Sequence, residues 1–280
     1  MGIIGVDIGG TNLRVGFVEH NSLERIESMS VKKNGKEDEI IQDLISLIKR
    51  FKNERIEGIG IGVPSVVDSE KGVVYDVTNI PSWKEVHLKE ILEAKFDIPV
   101  YVNNDANCFV VGEKYFGRVK KYKNIVGLII GTGLGSGLII NDHLYAGKNY
   151  GAGEFGMIPY KDRNYEYYCS GRFFISEYGL TGEEVFSLAV RGEEKALNIF
   201  DQFGNHLGDT IKMILFAIDP EVIVLGGSIS KSYNFFENSM WDSINKFAYS
   251  HSLDTLKIMV SELNHSAILG AAALYYESRK

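Results

Sequence analysis

Two segments of this 280-residue chain repeat one pattern: an apolar strand that runs into Ile-Gly, a turn of glycine and threonine, and a second apolar strand. The first runs from Ile3 to Ile8 and turns through Gly9-Gly10-Thr11 into Leu13 to Val18. The second runs from Ile125 to Ile130 and turns through Gly131-Thr132-Gly133 into a strand that reaches Ile140. A strand that passes through glycine directly into another strand is a hairpin, not the opening of a βαβ unit. Two such hairpins, one in each half, predict a duplicated α/β architecture of two lobes with a cleft between them. The length suits two lobes, since domains settle near about 100 to 200 residues.

The rest of the chain alternates around these hairpins. Asn21-Ser22 ends the second strand and a third runs from Leu23 to Val31, which makes the start a β-meander. Ile40, Ile41, Leu44, Ile45, Leu47, Ile48 and Phe51 recur at helical spacing and predict a helix over 37–52. A strand at 56–62, a loop holding Pro64 and Pro81, a helix at 88–96, a strand at 100–103 and a helix at 106–116 follow. The basic run Arg118 to Lys123 then reads as a linker. Beyond Ile140 come an irregular aromatic segment, helices between Glu183 and Ile218, a strand at 222–225 and a closing helix after Ser266. The expected lobes are 1–117 and 118–280, with the final helix, about 266–280, packing back on the first.

Composition removes several function classes. No run approaches the roughly 20 apolar residues of a membrane span, and the start shows neither a basic region nor a cleavage site, so a cytoplasmic protein is expected. Cys108 and Cys169 are the two cysteines, too few for a disulfide framework. A formal net charge of −7 disfavours a nucleic-acid partner.

Three polar groupings could carry chemistry. In Asp7-Ile8-Gly9-Gly10-Thr11-Asn12 a strand delivers a carboxylate to a turn whose glycines leave backbone N–H groups uncovered, suited to phosphate oxygens, with Asp7 facing a hydrated magnesium ion. An ordinary hairpin with Asp7 as a turn cap would look the same. The run Gly131 to Gly137 is followed by a strand where a dinucleotide fingerprint requires a helix, so it suits a polyphosphate rather than a Rossmann cofactor, with Thr132 offering a hydroxyl. In Asn103-Asn104-Asp105-Ala106-Asn107, Asp105 is the candidate general base, although Asn and Asp at this place also serve as helix N-caps.

Taken in order, these motifs resemble the ROK family of sugar kinases, within the fold group of actin, hexokinase and the heat-shock ATPases. The likeness spans essentially the whole chain. It implies two ribonuclease-H-like lobes with nucleotide and sugar in the interlobe cleft. It also implies that Asp105 accepts the proton of an attacking sugar hydroxyl, and that Asp7, Gly9, Gly10, Thr11, Asn12, Gly131, Thr132 and Gly133 serve ATP and its magnesium. Gly226 and Gly227 resemble the adenosine-side turn. Asn79, Asn104, Asp105, Glu154 and Glu177 would line the sugar pocket. Compact members of this length resemble N-acetylmannosamine kinases acting on the six-hydroxyl in sialic acid catabolism; glucose, allose and N-acetylglucosamine are alternatives, and homodimers are usual. A sugar-responsive regulator would need a DNA-binding segment ahead of Asp7, for which there is no room, and a catalytically silent sugar binder is the remaining rival.

One departure stands out. The family's structural zinc site needs a His and three cysteines, and here Met157, Tyr168, Ser170 and Ile175 stand in those places, with Cys169 one position out of register. No structural zinc is expected. The tyrosines and phenylalanines of 160–174 are expected to supply packing instead.

Overall fold

The computed structural model describes residues 2–51, 54–77 and 79–280. Lys52, the expected end of the first helix, lies outside them. The chain divides into two compact units. The first holds the residues up to Lys121 together with Ile139–Ala152 and Glu262–Lys280; the second holds Tyr122–Leu138 and Gly153–Ser261. A single cut after Gly117 therefore does not describe the grouping.

The first unit is built on a five-stranded sheet in the order Ser22–Ser30, Asn12–Glu19, Gly2–Ile8, Ile56–Val63, Val100–Asn104. The first three are antiparallel; the last two run parallel to Gly2–Ile8. His20 and Asn21, with φ of 51° and 62°, form the two-residue turn between the second and third strands. Positive φ at both positions matches the right-handed twist of a hairpin.

Side chains alternate across the central strand, as a strand's period of two requires. Ile4, Val6 and Ile8 join a core with Ile40, Ile41 and Leu44 of the helix Glu37–Ile48. Ile3 faces the other way, onto Leu269, Ala272 and Tyr275 of the closing helix Ser266–Glu277. On that second face glycine is required: a Cβ at Gly60 would run into the carbonyl of Ala271, and one at Gly5 into that of Ile268. Gly270 in turn backs onto the Cys108 carbonyl of the helix Asp105–Tyr115. Sheet and helices thus meet backbone to backbone.

The loop expected between the strand ending at Val63 and the helix Leu88–Phe96 contains a small antiparallel sheet of Val66–Asp68, Val73–Tyr75 and Glu85–Val86. Strands of two or three residues are too short to show alternation. The segment Ile139–Ala152 is tied into this unit by an ion pair between Lys114 and Asp142 and by Glu277, which accepts from the Leu144 N–H at 2.8 Å and the Tyr115 hydroxyl at 3.0 Å.

In the second unit, Ile125–Ile130, Val222–Gly226 and Lys257–Val260 form parallel neighbours, and Leu134–Ile140 joins beyond Ile125–Ile130. The helix Glu194–Ala217 buries Ile199, Phe203, Leu207, Ile211 and Ile214. Its Gly204 and Gly208 admit the backbone of the helix Tyr233–Ile244 at Phe236 and Met240. That helix and the strand Lys257–Val260 have no counterpart in the sequence reading, since neither shows strong apolar periodicity. The aromatic segment is ordered as a hairpin at Pro159–Tyr160 and Arg163–Asn164 followed by helices Tyr165–Tyr168 and Gly171–Tyr178. Tyr165, Tyr168, Phe173 and Phe174 are buried in this unit. Among the described residues no helix is long and apolar enough to cross a membrane.

Gly60→Ala should lower the unfolding free energy by about 1–3 kcal/mol, because the new methyl has only fixed backbone to displace. Gly131→Ala, where a Cβ meets nothing within 4 Å, should stay within about 0.5 kcal/mol. Urea unfolding of both variants measures the difference.

Candidate functional site

In the first unit three parallel strands end together. Asp7 is in register with Gly62, and Gly62 with Asn103. In-register residues on parallel strands point to the same face, so Asp7 and Asn103 flank a position that has no side chain. The Cys108 thiol fills it: a Cβ at Gly62 would lie 3.2 Å from Sγ. Burial first, then the charges of Asp105 and Asp7, push the Cys108 thiol pKa well up.

Asp7 is 7% exposed. It sits opposite Arg14 across the hairpin, and Arg14 Nε donates to Oδ2 at 2.8 Å, with a second Arg14 nitrogen on the same oxygen. Burial pushes the Asp7 pKa up, and Arg14 offsets this only in part. Oδ1 accepts no hydrogen bond from the described residues. A carboxylate with one oxygen held and one open can offer a single ligand, or an acceptor for coordinated water. That fits Mg2+, which keeps several of its waters.

The adjoining turn closes through the Gly9 N–H on the Asn12 carbonyl at 2.9 Å, and Thr11 and Asn12 are exposed. Gly10 lies against the Asn79 amide, where a Cβ would stand 2.8 Å from Nδ2. Asn79 is thereby brought to the first glycine turn.

The ambiguity at Asn104-Asp105 separates into two roles. Asn104 is the N-cap: its Oδ1 accepts from the N–H groups of Ala106 at 2.8 Å and Asn107 at 3.4 Å, and its Nδ2 donates to the Ser65 carbonyl at 3.2 Å. Asp105 is the first helical residue, and its Oδ1 accepts from Ala106 N–H at 2.8 Å.

In the second unit the Gly131 carbonyl accepts from Gly171 N–H at 2.7 Å, which fixes the second glycine turn to the start of the helix Gly171–Tyr178. Glu166 Oε2 accepts from Leu134 N–H at 3.2 Å, and Oε1 pairs with Arg172 at 3.2 Å. A cavity of about 540 Å3 opens beside this turn, lined by Gly131, Thr132 and Arg172 and by Phe186, Ile229 and Lys231. Gly226 is in register with Ile129. Gly227, at φ 86°, lies flat on the Ile130 backbone and hands the chain to Ser228 on the cavity wall.

Glu154 is exposed as a residue, yet its carboxyl is set among protein atoms near Glu166, and burial followed by that charge pushes its pKa up. Glu177 is exposed and accepts from the Tyr167 hydroxyl at 2.8 Å. The residues singled out from sequence thus form two groups. Asp7, Gly9, Gly10, Asn79, Asn104 and Asp105 belong to the first unit; Gly131 to Gly133, Glu154, Glu177, Gly226 and Gly227 belong to the second. Arg14, Glu166 and Arg172 escaped sequence reading. Only Arg14 had a signal, since pairing the predicted hairpin sets it opposite Asp7.

The four places read against zinc ligands have other occupations. Met157 and Ile175 are 55% and 58% exposed, Tyr168 is buried, and Ser170 caps a helix by accepting from Arg172 N–H at 3.2 Å. Among the described residues no group of three or more His, Cys, Asp and Glu is placed to hold a metal ion. Tyr160 stacks on Tyr165 with centroids 4.5 Å apart and meets Tyr168 edge-on at 5.5 Å. Its hydroxyl donates to Asp209 Oδ2 at 2.6 Å and lies 3.1 Å from His206 Nδ1. A hydroxyl has one proton to give, so with Asp209 accepting it, Nδ1 carries the proton of a neutral His206. Burial, and then Lys161, push the His206 pKa down to about 4.

The ROK family model matches residues 3–278. A glucokinase of Thermotoga maritima is 28% identical over 98% of this chain and 97% of its own length. An N-acetyl-D-glucosamine kinase of Photobacterium profundum is 32% identical over 81% of this chain and 84% of its own. A xylose repressor of Bacillus subtilis is 30% identical over 82% of this chain but only 65% of its own length. In structure, a ROK family glucokinase from Streptomyces griseus in complex with glucose and AMPPNP superposes with a TM-score of 0.81 at 23% identity, over 98% of this chain and 99% of that one. The two-lobed actin-like fold is the same.

His206 gives a pH prediction. Its ordinary pKa is 6.5 and its folded value about 4, so between these the unfolded chain binds a proton that the native protein excludes. Stability should be full above pH 6.5 and fall as pH drops toward 4, by on the order of 2 kcal/mol. Urea midpoints at pH 7 and pH 4.5 should converge in His206→Gln relative to the wild type.

Proposed function

We propose that this chain, which belongs to the ROK family, transfers the γ-phosphate of ATP to a sugar hydroxyl, with Asp105 as the general base. The observation that carries the reading is the division of labour between Asn104 and Asp105. Asn104 is the N-cap and takes the N–H groups of Ala106 and Asn107, while Asp105, with Oδ1 on the Ala106 N–H, follows at the start of the helix two residues past Asn103, which is level with Asp7 across the sheet. A carboxylate at a helix start, a second one at a strand end and an exposed amide at Asn79 suit a polyhydroxyl substrate and a phosphate beside it.

In the reaction Asp105 takes the proton of the attacking hydroxyl as the oxygen bonds to phosphorus, and ADP leaves. Magnesium, when bound with the nucleotide, neutralises charge on its phosphates, and Asp7 would hold it through water. In the glycine turn beside Asp7 the Gly9 N–H is taken by the Asn12 carbonyl, and the N–H groups of Gly10 and Thr11 would serve the phosphate oxygens. Phosphoryl transfer asks little covalent chemistry of a protein, so positioning and charge make up most of the contribution. In the second unit, the wall of Phe186 and Ile229 suits a planar base, and Gly131-Thr132 at the same cavity suits the phosphates that follow it.

For the sugar we favour the six-hydroxyl of N-acetylmannosamine, on the chain's resemblance to compact kinases of that class. Glucose and N-acetylglucosamine are the rivals that the relatives' names supply. Met157 lacks the hydrogen-bonding nitrogens of the His it replaces, so a sugar that depends on that imidazole is disfavoured. A regulator without catalysis is the alternative supported by the likeness to xylose repressors.

Magnesium-dependent ADP release across N-acetylmannosamine, N-acetylglucosamine, glucose, mannose and allose tests the reading. One sugar should be clearly preferred, and Asp105→Asn should lower its kcat by about 100- to 10,000-fold while leaving ADP binding in place. Near-normal turnover in that variant removes Asp105 from its role; no turnover on any sugar favours the silent binder.

A further inference from the structure

We propose that Arg172 is the side chain that takes the polyphosphate of the nucleotide in the second unit, and that Glu166 is the positioning residue that holds it there; the inference rests on the nucleotide reading of the cavity given above.

The cavity beside the second glycine turn is lined by both apolar and polar groups. Phe186, Ile229 and Ile175 form an apolar wall, and Gly131, Thr132 and Arg172 gather at the turn. Two cations reach it, Arg172 and Lys231. They differ in how they are held. Among the described residues Lys231 makes no ion pair and stands on the short 3-10 turn Ile229–Ser232, with no hydrogen bond from its own backbone to the second glycine turn. Arg172 follows Gly171, whose N–H is bonded to the Gly131 carbonyl at 2.7 Å, so its backbone is fixed to the turn itself.

Glu166 completes the arrangement. Its side chain is 17% exposed; one oxygen accepts from Leu134 N–H on the far side of the glycines and the other pairs with Arg172 at 3.2 Å. One carboxylate therefore sets the turn and the guanidinium relative to each other. Arg172 remains 60% exposed, with one fork edge committed and the rest of its five donors available. A planar guanidinium matches phosphate oxygens in pairs, which an ammonium does not. Gly133 is part of the same device: a Cβ there would lie 2.6 Å from Glu166 Oε2 and push the carboxylate off the turn.

The test is calorimetric titration of the full chain with adenosine, AMP and Mg-ADP, in wild type, Arg172→Gln, Arg172→Lys and Lys231→Gln. Arg172 is exposed, so these variants fold, as circular dichroism will show. Arg172→Gln should weaken Mg-ADP about 10-fold or more and leave adenosine within about 2-fold. Arg172→Lys should recover part of the loss, and Lys231→Gln should have the smaller effect on Mg-ADP. Unchanged Mg-ADP affinity in Arg172→Gln, an equal loss for adenosine, or a larger loss in Lys231→Gln overturns the assignment while leaving the kinase reading intact. Wild type that binds none of the three overturns both.

Discussion

The parallel pairing of Gly2–Ile8 with Ile56–Val63, and of Ile56–Val63 with Val100–Asn104, is the constraint on which the first unit depends. The register that buries Ile4, Val6 and Ile8 on one face sends Ile3, Gly5 and Asp7 to the other. A slip by one residue would exchange the two sets, driving a carboxylate into the core and bulky side chains against the closing-helix backbone that only Gly5 and Gly60 admit. Apolar burial therefore fixes the place of Asp7 with no interaction of its own. The same register brings Asn103 level with Asp7 and leaves the Gly62 gap between them for Cys108. Arg14 then meets Asp7 because the hairpin sets them opposite each other.

The second unit fixes its glycine turn differently. No buried strand end supplies a carboxylate there. Instead a helix start and a carboxylate from the aromatic segment grip the turn from outside, through Gly171 and Glu166. That segment is held in place by the Tyr160 hydroxyl on Asp209 and by stacked tyrosines around a neutral His206. Aromatic contacts of this kind contribute about 0.5–1.5 kcal/mol each beyond their burial. The chain thus orders a short, irregular stretch by ring packing and a buried polar relay.

Local signals were legible in the sequence, and long-range ones were not. Both glycine hairpins, the helix at 88–96 and the closing helix could be read because strand period, helical spacing and glycine act within a few residues. Which of Asn104 and Asp105 caps the helix could not be told from sequence, since both are good acceptors and only backbone geometry decides. The small sheet within 66–86 and the strand Lys257–Val260 are too short to carry a pattern. Glu166 and Arg172 gain their meaning from Leu134 and Gly131, more than thirty residues earlier in the sequence. The grouping of Ile139–Ala152 with the first unit depends on Lys114 and Glu277, and no periodicity marks such ties.

The first unit is closed by the last helix of the chain, whose backbone seats on Gly5 and Gly60. During synthesis this helix leaves the ribosome after every other element described. Until then the sheet face carrying Ile3 and Val18 has no cover, and the helix Asp105–Tyr115 lacks the partner that meets Gly112. The second unit, whose residues all precede the closing segment, can complete itself first. Order of translation and order of folding are therefore opposed: the half that begins the chain is the last to be finished. Between the emergence of the first sheet and that of the closing helix, the nascent chain carries an open apolar sheet face, the state in which aggregation and chaperone capture compete with folding.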